Sequence, residues 1–339
     1  MKQWNDEMST LPRRRRSEHV HMALRAGSTL YIVLFHCVRF FFFAASRLRV
    51  SLFLLLTALT TTATATPISF SDLLKRPRAT PTQTIAYGQA PHQFAELWLP
   101  AGNGPHPTLV MIHGGCWLAE LPGTELMAYI SEDLRQHGYA VWSIDYRRIG
   151  EDGGGYPGTF LDTAAAIDKL KDLAAANNLD LKRLVAIGHS AGGHLATWAA
   201  ARPRLPKSSP LATKNSQPIA GVVSLAGIND LAAYREKGPS ACGGPPTIDA
   251  LVNSKRKGDL YADTSPASLL PIGVKQSVIS GALDKIVPPP FGKDFAALAI
   301  KKGDTAKEIT IENAGHFELI DPASDAWKII RAEIDALAK

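Results

Sequence analysis

Cysteine is scarce in this chain: three residues among 339, at Cys37, Cys116 and Cys242. So few exclude a small fold stapled by a disulfide framework. Metal-binding patterns are missing as well. There is no HExxH, no close cysteine pair and no histidine cluster with ligand spacing, which leaves no set for a structural or catalytic zinc. No Gly-Lys-Ser or Gly-Lys-Thr follows a glycine-rich loop, which excludes a P-loop. Internal repeats and long linkers are lacking too, so the chain beyond its leader is expected to be one domain.

Charge of one sign is also absent where a folded domain would carry it. The net charge is +6, but nine of the 37 Lys and Arg and three of the 31 acidic residues fall within residues 1–66, leaving 28 of each beyond. A nucleic-acid partner would need a basic face on the domain itself, and none is visible. The leader 1–66 holds Arg13-Arg14-Arg15-Arg16 and two apolar runs, about 30–45 and 50–65. In the second, Arg47 and Arg49 precede Leu52-Phe53-Leu54-Leu55-Leu56, and Ala63-Thr64-Ala65 is a small-x-small site; together these predict a signal peptide cleaved after about Ala65. A secreted or periplasmic domain over 67–339 follows, with no stable insertion in a membrane. The first run carries His36 and Arg39, costly in hydrocarbon, and translation starting near Met22 or later would leave an ordinary signal. A membrane-anchoring hairpin is the alternative. Cys37 lies in the leader. Export would permit Cys116 and Cys242 to join, but two independent buried thiols are the default expectation.

What is present is an alternation of apolar strands and helical segments. Residues 83–87 and 93–99 read as strands, then Thr108–Ile112, Ala140–Ile144, Leu184–Ile187, 219–225, 274–279 and 309–311. Helices are expected at 124–137, 159–177, after Ser190, at 291–301 and at 321–337. Such alternation predicts an α/β fold, a mostly parallel sheet with helices on both faces. Residues 228–270 show no periodicity and are assigned to a small cap or long loops. Ligands of such sheets bind beyond the carboxyl ends of the strands, so the turns after Ile112, Ile187, Ile279 and Ile311 are where chemistry is expected.

After Ile187 comes Gly188-His189-Ser190-Ala191-Gly192-Gly193, a Gly-x-Ser-x-Gly between strand and helix. A serine hydroxyl reacts only when a turn projects it and a base takes its proton. The turn after Ile279 holds Asp284, suited to orient an imidazole, and the turn after Ile311 holds His316, whose ring can take and return a proton near neutral pH. After Ile112, His113-Gly114-Gly115-Cys116-Trp117 offers the N–H groups of Gly114 and Gly115, with that of Ala191, to a developing oxyanion. His189 and His194 sit too close to Ser190 in sequence to face it well. Trp117 and Tyr156 are candidate walls of a substrate pocket, and Asp145 is expected to fix a loop rather than react.

The order Ser190, Asp284, His316 is that of the α/β-hydrolases, and residues 80–339 resemble that superfamily. His113-Gly114-Gly115-Cys116-Trp117, Asp145-Tyr146-Arg147 and Gly188–Gly193 resemble the carboxylesterase and hormone-sensitive-lipase-like group. His-Gly-Gly-x-Trp is also similar to the kynurenine-formamidase signature, and Gly-x-Ser-x-Gly-Gly to prolyl-oligopeptidase-like peptidases. Two departures stand out: no third glycine follows His113-Gly114-Gly115, and no Leu-Ala-Pro-Glu follows Tyr146-Arg147. The resemblance implies a cofactor-free serine carboxylesterase acting on a small ester through a Ser190–His316–Asp284 triad. The alternatives are an arylformamidase-type amidase, a peptidase suggested by Gly193 alone, or an inactive homologue that binds rather than cleaves.

Overall fold

The computed structural model describes residues 66–338; the readings made on the leader up to residue 65 lie outside them. In chain order the elements are α1 (Phe70–Leu74), β1 (Gln83–Ala86), β2 (Phe94–Trp98), β3 (His106–Ile112), α2 (Ala128–Gln136), β4 (Ala140–Ile144), α3 (Gly158–Asp168) and α4 (Leu170–Leu173). They continue as β5 (Leu179–His189), α5 (Ala191–Ala201), β6 (Gly221–Leu225), α6 (Leu231–Lys237), α7 (Pro245–Val252), β7 (Lys275–Gly281), α8 (Pro289–Lys301), β8 (Ala306–Ile311) and α9 (Asp325–Ala338). The eight strands form one sheet in the order β1-β2-β4-β3-β5-β6-β7-β8. Only the β1–β2 and β2–β4 pairs are antiparallel; β4 through β8 pair in parallel.

The near-unbroken apolar runs of β3, β4 and β6 belong to strands covered on both faces. From β3 to β4 the chain steps one way across the sheet, then returns past β3 to β5 and continues to β8. Right-handed crossovers therefore put α2 on one face and α3, α5 and α8 on the other. The last helix, α9, joins α2: Trp327 Nε1 donates to Asp133 Oδ2 at 2.7 Å.

Residues 228–270, expected as a small cap or long loops, hold two short helices, α6 and α7. Asp230 caps the first by accepting from Ala233 N, and Pro245-Pro246 open the second, which buries Ile248, Leu251 and Val252. Two other expectations are corrected. The helix expected at 159–177 ends as α3 at Asp168 and restarts as the single turn of α4; Asn178 then turns the chain at φ +51° into β5. Cys116 and Cys242 are joined, their Cα atoms 5.3 Å apart across 126 residues of sequence. Only the fold brings them within reach.

Candidate active site

The carboxyl ends of β3, β5, β7 and β8 lie along one edge, and each delivers one part of the site. β5 ends at His189, and Ser190 follows at φ +56°, ψ −120°, a conformation costly for any residue but glycine. Two glycines make this turn possible. A Cβ at Gly188 would lie 2.0 Å from Gly192 O, and one at Gly192 would lie 2.1 Å from Ile112 O. The turn is also held by Ser190 N, which donates to Leu225 O at 2.8 Å. Helix α5 starts at Ala191, so its unpaired N-terminal N–H groups gather beside the serine. Gly193 has a packing explanation: its Cβ would meet Gly227 Cα at 2.7 Å.

β7 and β8 bring in the other two residues. His316 Nδ1 is 2.6 Å from Asp284 Oδ2. The second oxygen, Oδ1, accepts from the N–H groups of Ile286 and Val287 at 2.7 and 2.9 Å, so the carboxylate is fixed from both sides. Asp284 thus faces the imidazole and not its neighbour Lys285. With Nδ1–H given to the carboxylate, Nε2 is the nitrogen available as base. Ser190 Oγ makes no hydrogen bond among the described residues; such bonds often tighten only once substrate is bound. The acids near His316 in sequence are engaged elsewhere. Glu318 accepts from Ile68 N and, at 2.9 Å, from Gly315 N, and Asp321 pairs with Arg76.

The loop after β3 lies against the serine turn. A Cβ at Gly114 would sit 3.2 Å from Ser190 Cβ and 3.0 Å from His189 O. Its base is clamped by His113, fully buried, whose ring nitrogens meet Asp145 Oδ1 at 2.9 Å and Gly114 O at 2.8 Å. Tyr146 stacks on that ring at 4.3 Å and its hydroxyl donates to His113 O. Asp145 also meets His92 at 2.9 Å. Burial works to raise the Asp145 carboxyl, but the His113 hydrogen bond and charge, with His92 and Arg148, outweigh it and hold the group down at about 2. Asp145 therefore fixes this loop, as expected.

Two histidines acquire roles that their spacing concealed. His189 lies in ring contact with His316, centroids 4.3 Å apart, and its Nε2 meets His316 O at 3.0 Å. Burial, reinforced by His316, pushes its pKa far down, so it is a neutral support of the His316 backbone. His194 donates from Nε2 to Thr264 O at 2.8 Å, tying α5 to the insertion, and burial lowers it to about 4. Trp117, a candidate pocket wall, has no exposed surface and packs edge-on against His194. Tyr156, the other, lies under the Arg256 guanidinium, 3.7 Å from its ring, and donates to Asp263 Oδ2. Among the described residues no cluster of His, Cys, Asp or Glu could hold a metal ion, and no helix is long and apolar enough to cross a membrane.

Strand order, serine turn and strand-end residues together define an α/β-hydrolase, carboxylesterase-like in its motifs. More narrowly, the chain belongs to the BD-FAE family, whose family model matches residues 96–298, more than half of its length. It is 29% identical over 129 residues to the probable carboxylesterase 4, mitochondrial, of Arabidopsis thaliana, a match covering 35% of this chain. That match spans about a third, 33%, of the plant protein's length. A truncated carbohydrate esterase from gut microbiota shares the fold at TM-score 0.65 and 20% identity, over 78% of this chain and 99% of that one. Esterase B of Lactobacillus rhamnosis also superposes at TM-score 0.65 and 20% identity, over 77% and 88%. A thermophilic esterase from Thermogutta terrifontis gives 0.61 and 20%, over 78% and 95%.

Proposed function

We propose that this protein is a serine hydrolase that cleaves small carboxylic esters through Ser190, His316 and Asp284. The observation that carries the reading is the His316–Asp284 hydrogen bond of 2.6 Å, with the His316 ring in contact with His189, the residue before a serine held at φ +56°. His316 Nε2 takes the Ser190 proton as Oγ attacks the acyl carbon. The negative charge that develops on the carbonyl oxygen is met by N–H groups of Gly114, Gly115 and Ala191. His316 returns its proton to the leaving alcohol, and a water activated by the same ring releases the acid from the acyl-enzyme. Asp284 orients the imidazole and stabilises its charged form; no step calls for a cofactor. The esterases among the structural neighbours and the BD-FAE membership support an ester substrate.

The test is Ser190→Ala, assayed on short acyl esters, N-formyl aryl amides and dipeptidyl amides. The expected outcome is a loss of about 10⁴-fold or more in turnover on esters, with fluorophosphonate labelling abolished. Near-normal ester cleavage by a folded variant would sink the assignment, and amides outpacing esters would move the substrate class. We also propose export of the domain. The apolar run at 50–65 and the Cys116–Cys242 bond, a bond that persists in oxidising compartments, support this. N-terminal sequencing of the exported protein tests it, since retention of residues 1–65 contradicts it.

A further inference from the structure

The oxyanion loop has an unusual backbone. Gly115, Cys116 and Trp117 take φ values of +97°, +50° and +57°, three left-handed residues in succession, of which only the first is a glycine. An L-residue in this region is disfavoured roughly 5- to 30-fold, and two in succession occur chiefly in tight mirror-image turns, where glycine and asparagine predominate. Such a turn persists only where its surroundings impose it.

Both ends of the turn are held. On one side Gly114 is wedged against His189 and Ser190, and His113 is clamped by Asp145. On the other, Trp117 O accepts from Ile149 N at 2.8 Å and Ala119 N donates to Ile149 O at 3.0 Å. The middle is closed by Leu118 N, which donates to Gly115 O at 2.8 Å across Cys116 and Trp117. Cys116 itself makes no backbone hydrogen bond among the described residues, and its side chain carries the covalent tie to Cys242. Cys242 closes a short 3-10 turn, Ser240–Cys242, between α6 and α7 in the insertion after β6. Both cysteines are buried.

We infer that the Cys116–Cys242 disulfide is a positioning strap for catalysis: from the insertion, it holds the oxyanion loop in the left-handed turn that aims its N–H groups at the reacting carbonyl. The inference rests on the function proposed above. Without the strap the turn relaxes toward ordinary dihedrals and the donors lose their aim. The cost falls on the transition state, where the oxyanion exists, and little on ground-state binding.

The experiment compares the full wild-type chain with C116A/C242A and C116G/C242A, each at a temperature where its own melting curve shows it folded. The readouts are kcat and KM on p-nitrophenyl acetate, Ki for a trifluoromethyl ketone, and titration of active sites with a fluorophosphonate. For C116A/C242A, kcat is expected to fall about 5- to 30-fold with KM changed less than about 2-fold, and the ketone to weaken by the same factor as kcat. C116G/C242A should recover a good part of that loss, because glycine enters φ +50° freely. A strap serving only global stability predicts neither the split nor the recovery. A folded C116A/C242A with wild-type kcat, or a loss that glycine does not restore, overturns the inference. If the alanine pair does not fold, wild type reduced until two thiols titrate in addition to that of Cys37 replaces it; unchanged kcat in that folded, reduced protein is equally fatal. A wild type that neither cleaves ester nor takes the label instead refutes the proposed function.

Discussion

His194 should make this protein acid-labile in a window where few other groups act. It lies fully buried on α5, donates from Nε2 to Thr264 O, and leaves Nδ1 without a partner. Protonating Nδ1 would place an unpaired charge in the core, and burial accordingly lowers its pKa to about 4, against 6.5 in the unfolded chain. Between those values the unfolded chain binds a proton that the folded chain refuses, so stability falls as pH drops. From pH 7.5 to pH 5 the loss from this one residue works out at about 2 kcal/mol. Carboxylates with depressed values act lower; of the buried histidines, His189 is lowered as well, and Glu96, raised by burial, acts in the opposite sense. His194→Gln keeps a donor near Thr264 O but cannot take up the proton. Urea unfolding followed by tryptophan fluorescence at the two pH values measures the difference. The variant should lose about 2 kcal/mol less than wild type across that interval. Equal losses in both proteins would refute the reasoning, because the group would then titrate alike folded and unfolded.

Gly192→Ala should fail to accumulate as folded protein, since its Cβ would fall 2.1 Å from Ile112 O and 2.4 Å from His113 O, both backbone atoms; soluble yield and circular dichroism check this. Asp145→Asn should destabilise the protein at neutral pH by about 2 kcal/mol, because a neutral amide replaces the carboxylate that meets His113, His92 and Tyr146 N. The native carboxyl, held at about 2 against 3.8 unfolded, contributes stability above pH 3.8 that is lost as pH falls to 2. The acid limb of the variant's stability curve between pH 4 and 2 should be flatter by about 2 kcal/mol.

Much of the candidate site is legible in the sequence. Ser190 announced itself because glycine must stand on both sides of a strand-to-helix turn, and the packing distances at Gly188 and Gly192 give the reason. Asp284 and His316 stand out as chemically competent residues in turns that follow apolar strands. The described structure joins those two at 2.6 Å. The insertion at 228–270 resisted such reading, because helices of seven and eight residues are too short to display a period. His189 shows the same limit: its spacing from Ser190 does not reveal its partner, the backbone of His316, 127 residues away.

By itself the sequence determined the fold class, the edge of the sheet where candidate residues gather, and which side chains there have the acid-base character to act. These depend on local matters: apolar periodicity, the dihedral freedom of glycine, and the acid-base character of side chains at strand ends. The tertiary structure decided which of those residues meet, that Cys116 joins Cys242, and that Asp145 clamps the oxyanion loop through His113. Each of these is a contact between segments far apart in the chain. Its existence depends on how the sheet orders its strands and where the crossovers leave their loops, and no local pattern encodes that.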